Sequence, residues 1–122
     1  MKVIKIKNKK IIKTDKLEDF LKIREKIENW IESNSKFLVD CNFYSEEEFT
    51  MGGVRVEVDE NNKSKIIRII KGILNVFGDY FKCPCPEKTI IETEMNSEET
   101  YISIKLKHAD YEYEIFLEKE ME

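Results

Sequence analysis

Glutamine is absent from this 122-residue chain, alanine occurs once (Ala109), histidine once (His108) and tryptophan once (Trp30). Glycine and proline are also scarce, at 4 and 2 residues, which excludes collagen-like and Pro/Gly-rich disordered chains. No apolar run approaches the roughly 18 residues that a membrane-spanning helix needs. Three cysteines are too few for a disulfide framework. Also missing are a G-x-S-x-G elbow, a Gly-rich phosphate loop and an H-E-x-x-H motif. Acid–base catalysis has no specific support either, because 25 acidic residues make some carboxylate pair inevitable.

What is present is apolar and charged in nearly equal measure, 41% and 38%. The length suits one domain over residues 1–122, and no linker or low-complexity tract divides it. Twenty-one Lys and Arg against 25 Asp and Glu give a net charge of −4, so direct nucleic-acid binding is not expected. The basic opening, MKVIKIKNKK, never develops the apolar stretch of a secretory signal, and a reducing cytoplasm is the expected compartment. Heavy use of Ile, Lys, Glu and Asn reflects AT-rich codons and suggests a low-GC bacterium, a phage or a plasmid.

Periodicity gives the element order. Lys2 to Lys7 alternates as a short strand, and Asn8-Lys9-Lys10 turns it back through Ile11 and Ile12. Asp15 with Glu18 reads as a capping box opening a helix whose stripe is Leu17, Phe20, Leu21, Ile27, Trp30 and Ile31. Phe37, Val39, Cys41 and Phe43 then alternate with Asp40, Asn42 and Tyr44, and Val54, Val56 and Val58 form a return strand. Gly52-Gly53 before it predicts a bulge or tight bend. A second helix carries Ile66, Ile69, Ile70, Ile73, Leu74, Phe77, Tyr80 and Phe81, with Gly72 allowing a close approach to the sheet. Pro84 and Pro86 end it. The last third predicts a three-stranded meander over 88–95, 100–107 and 112–118, with His108 in the second loop. The expected fold is α+β, in the order β(β)-α-β-β-α-β-β-β. An antiparallel sheet of about five to seven strands carries two amphipathic helices on one face and leaves the other polar.

Two constellations of polar residues bear on chemistry. Cys41, Cys83, Cys85 and His108 total three thiols and an imidazole, a legitimate zinc set. The C-x-C spacing and the inward register of Cys41 argue against it, so no metal or cofactor is assigned. Seven lysines (2, 5, 7, 9, 10, 13 and 16) against Asp15 place +6 before residue 17 and leave −10 on residues 17–122. Lysine on an edge strand also guards against aggregation, and no aromatic is interleaved as single-strand binding would require.

The acidic face of the predicted meander is the preferred candidate. Glu92, Glu94, Glu112, Glu114 and Glu118 should face away from the helices with Tyr101 and Phe116, joined by Glu57 and Asp59 of an earlier strand. Alternate residues on a strand lie about 6.6 Å apart, near the pitch of phosphates along nucleic acid, so such a row suits a basic groove. Lys105 opposite Glu114 and Lys107 opposite Glu112 would neutralise part of the row, as in an ordinary solvated face. The expectation is a non-enzymatic protein of inhibitor or immunity/anti-defence type. It would bind a basic protein or nucleoprotein surface, with no membrane association and with homodimerisation open. The alternative is a small-molecule or nucleotide-binding module with a pocket between the second helix and the sheet or at a dimer interface. Its polar groups would be Gly52, Gly53, Arg55, Lys82 and His108.

Overall fold

The computed structural model describes residues 1–45, 52–83 and 88–120. Its elements are β1 (Lys2–Ile6), β2 (Lys9–Thr14), α1 (Leu17–Ser33), β3 (Phe37–Ser45), β4 (Gly52–Val58), α2 (Lys63–Lys82), β5 (Thr89–Asn96), β6 (Tyr101–His108) and β7 (Tyr111–Lys119). The predicted order therefore holds, and the class is α+β. All seven strands join one antiparallel sheet in the order β1-β2-β5-β6-β7-β3-β4. The terminal meander occupies the centre, with one hairpin added at each side. No helix among the described residues is long and apolar enough to cross a membrane.

The period of two decides which face is dry. Ile91 of β5, Ile102, Ile104 and Leu106 of β6, and Ile115 and Leu117 of β7 are at most 1% exposed. They share one face in register, with Ile104 between Thr93 and Ile115. Phe20, Ile23, Ile27, Trp30 and Ile31 of α1 and Ile70, Leu74 and Phe77 of α2 complete the same core. Burying these groups is the main favourable contribution to folding.

The helices run antiparallel. Near one end Phe20 stacks on Phe81 at 4.6 Å. At the other, the Lys63 ammonium donates to the Asn34 carbonyl (2.7 Å) and the Glu32 carbonyl (3.4 Å), satisfying groups that the end of α1 leaves free. Between them Arg24 donates to Asn75 across the helix pair and to Glu28 on its own helix.

Several local expectations are corrected. The N-cap of α1 is Lys16, without a side-chain cap. Buried Thr14 does that work: its hydroxyl accepts from the Lys16 N–H (3.2 Å) and donates to Asp19 (2.8 Å). Leu21 is 48% exposed and Ile69 52%, because each lies one residue off the buried stripe. Gly72 faces open space. Gly78 is the close approach, where a Cβ would stand 3.4 Å from the Phe20 ring. Gly52 and Gly53 form no bulge and pair regularly with Phe43 and Asn42. The first turn is Lys7-Asn8, since Ile6 pairs with Lys9. Asp59 lies outside β4 and caps the approach to α2, accepting from the Asn61 and Asn62 N–H groups. His108 belongs to β6, opposite Thr89 and Tyr111, and not to a loop. Pro84, Cys85 and Pro86 lie outside the described residues.

A truncation test separates the core from the uncovered helix side. Ile104→Ala is expected to lower stability by about 2–4 kcal/mol, since a fully buried site leaves a cavity. Ile69→Ala should stay within about 0.5 kcal/mol. Urea unfolding midpoints of the two variants check this.

Candidate functional site: the uncovered sheet face

Opposite the helices, the sheet presents rungs of side chains whose neighbours follow from the register. Glu92 stands between Lys13 and Lys105, and Lys105 in turn faces Glu114. Glu94 lies between Ile11 and Ser103, and Ser103 faces Phe116. Glu112 stands between Lys107 and Tyr44, and Glu118 between Tyr101 and Leu38. Two columns of carboxylates, on β5 and β7, thus flank a central β6 column of Tyr101, Ser103, Lys105 and Lys107. At strand spacings of about 4.8 Å the acidic columns lie about 10 Å apart.

The expected pairing of Lys105 with Glu114 and of Lys107 with Glu112 is met in register. Neither pair closes to an ion pair, however. Among the described residues the single one within 4.0 Å is Arg24–Glu28 at 3.0 Å, on α1. The carboxylates of the face therefore stay available, and Glu92, Glu94, Glu112 and Glu114 are half-buried while Glu118 is exposed. Lys105 and Lys107 offset part of their charge without binding it.

Tyr101 is the ordered part of the surface. Its hydroxyl donates to the Glu94 carboxylate at 2.9 Å, and its ring stacks on Phe116 at 5.6 Å. Burial and the bonded carboxylate hold the Tyr101 phenol above the ordinary tyrosine value. Phe116 remains 36% exposed, a large apolar group within the acidic column of β7. Beside this pair the small Ser103 leaves a depression of about 220 Å³ lined by Ile11, Glu92, Glu94, Ser103 and Lys105.

Strand order extends the face in a direction the sequence did not disclose. Because β3 lies beside β7, Asp40 joins the Phe116 rung, and Tyr44 approaches Glu114 at 3.5 Å. Arg55 follows Asp40 at the β4 edge, and Glu57 follows Leu38. The alternation of Asp40, Asn42 and Tyr44 was the available signal; its neighbour strand was not.

The other candidate groups do not come together. His108 is stacked on Tyr80 at 4.1 Å, and its Nδ1 is 2.7 Å from the Thr89 hydroxyl. Cys41 is half-buried on the helix side, where burial and then the Asp40 charge push its thiol pKa up, opposite to an activated nucleophile. Cys83 is exposed at the end of α2, and Cys85 lies outside the described residues. No metal-holding group of three His, Cys, Asp or Glu occurs among the described residues. Gly53 packs against Asn42, Arg55 sits at the β4 edge and Lys82 ends α2. Comparison of the chain with models of known families, with curated proteins and with solved structures gave no significant match.

The Tyr101–Glu94 bond predicts a titration difference. A phenol pKa raised in the fold means that stability falls as pH rises through the tyrosine range, because the unfolded chain loses that proton first. In Glu94→Gln the phenol loses a neighbouring negative charge. Its titration, followed by tyrosinate absorbance, should move down, and the alkaline loss of stability should shrink.

Proposed function

We propose that this chain is a non-enzymatic binding protein that occupies a basic surface of a partner protein or nucleoprotein with its uncovered sheet face. The observation that carries this reading is the set Glu92, Glu94, Glu112 and Glu114. All four lie outside the helical cover, with no ammonium or guanidinium group of the described residues within 4.0 Å, around the stacked Tyr101–Phe116 pair. Charge complementarity of this sort speeds encounter and rejects wrong partners, while a buried aromatic supplies much of the affinity. Lys105 and Lys107, between the acidic columns, would fix the register of a partner's basic groups. An inhibitor or immunity-type antagonist acts in this way, by occupying a site rather than transforming a substrate. The acidic rows, near the pitch of phosphates, suit a groove that otherwise holds nucleic acid.

Affinity capture from the native host with quantitative mass spectrometry tests the proposal. The Glu92→Gln, Glu94→Gln, Glu112→Gln, Glu114→Gln variant should lose the partner that the unaltered chain captures. Phe116→Ala should weaken capture by about tenfold or more. A control replacing Glu18, Glu25, Glu60 and Glu98 by Gln removes equal charge elsewhere and should retain the partner. Undiminished capture by the first variant would overturn the assignment.

A further inference from the structure

The strongest unexplained feature lies away from the acidic face, where the β1–β2 hairpin overhangs the helix side of the sheet. Every residue of β1 is exposed, so the helices do not reach it. Between this overhang, the β5–β6 turn and α1 lies a concavity of about 260 Å³. Five lysines line it: Lys5, Lys7, Lys9 and Lys10 from the hairpin and Lys26 from α1, with Glu99 the sole acid.

Three observations set this groove apart from a scatter of surface lysines. First, Lys5 pairs directly with Lys10, a like-charge cross-strand pair facing the groove. Like charges so placed are destabilising, and neither lysine has a carboxylate of the described residues within 4.0 Å. Second, protection of an open edge accounts for lysines on β1 but not for these others. Lys9 and Lys10 belong to β2, which is interior and pairs with β5, and Lys26 is on a helix. Third, the rim is fixed. The Ser97 N–H donates to the Asn8 carbonyl at 2.7 Å and ties the two turns together. The Trp30 indole N–H holds the Glu99 carbonyl at 2.8 Å. Lys7 itself sits at φ 51°, a left-handed conformation that glycine or asparagine adopts more cheaply.

We propose that this groove binds the triphosphate group of a small ligand, inorganic or carried on a nucleoside. Four of these lysines, Lys5, Lys7, Lys10 and Lys26, stand against one carboxylate and leave an excess of three positive charges, with Lys9 bordering the groove at the turn in the register of the other face. A triphosphate chain carries about −4, nearly two charges on the terminal phosphate and one on each of the others. The cavity is bordered by the two turns and α1, and its volume suits a compact anion better than an extended strand. No aromatic ring lines it, so the phosphates and not a base supply the recognition. Apart from Lys9, whose register is that of Ile11 and Glu94, the site lies across the sheet from the docking face.

Calorimetric titration of the full chain with tripolyphosphate and with a nucleoside triphosphate, both in metal-free buffer, tests the proposal. Saturable binding at one ligand per chain is expected, with affinity falling as salt rises. Equal affinity for the two assigns the triphosphate alone, and tighter binding of the nucleoside form assigns the nucleotide; either supports the site. A Lys5→Gln, Lys7→Gly, Lys10→Gln variant should bind about tenfold more weakly or worse. It should melt no lower than the unaltered chain, since it loses like-charge repulsion and the left-handed lysine. Lys26→Gln on the helix, which leaves the hairpin intact, should also weaken binding. A Lys2→Gln, Lys13→Gln, Lys16→Gln control removes the same charge outside the groove and should keep most of the affinity. Three results would overturn the proposal: no saturable binding, equal losses in the groove variant and the control, or tighter binding of an oligonucleotide carrying the same number of phosphates.

Discussion

The two-residue period of the strands, combined with apolar helical surface on one side only, sets the conditions for the rest of this molecule. Ile104, Ile115 and Leu106 drive the sheet against α1 and α2, and their alternate neighbours must then face water. A one-residue slip in β6 would carry its isoleucines to the wet face and Lys105 into the core, so the register is held by burial itself. Every geometric statement about the carboxylates depends on that register. Glu92 and Glu114 flank Lys105 because Ile91 and Ile115 are locked beneath the helices.

That constraint also explains the separation of charge. The helices cover the central strands and stop short of β1, leaving an edge strand that the core does not cover on either face. Lys5 and Lys10 of that hairpin share the helix side of the sheet, while Lys2 and Lys13 share the uncovered side with Glu92 and the other carboxylates. The two faces thus differ in their charge, the helix side of the hairpin carrying lysines without acidic partners in register. Small local bonds keep each in place, Tyr101 to Glu94 on one side and Ser97 to Asn8 on the other.

Much of this was legible in the residues. The period-two runs placed all seven strands and the 3.6-residue stripes placed both helices. The inference that Lys105 faces Glu114 needed only a four-residue loop from His108 to Tyr111, and the register bears it out. Misreadings occurred where two neighbouring residues were equally apolar: Ile69 beside Ile70, and Leu21 beside Phe20. Hydrophobicity cannot say which of two adjacent isoleucines a helix turns inward; the partner surface decides. The same holds for glycine, since Gly72 and Gly78 look alike until Phe20 is seen against one of them.

The sequence by itself determined the class of the fold, the side of each strand that is buried and the identity of the uncovered carboxylates. All of these follow from local periodicity and short loops. Only the tertiary structure decided that the terminal meander lies between the two earlier hairpins, because strand order depends on long-range pairing that no local period encodes. That order places Asp40 and Tyr44 beside the acidic column of β7. It makes β2 an interior strand and brings Lys26 of α1 over the lysines of the first hairpin. A run of basic residues thereby becomes a groove with a floor and two walls.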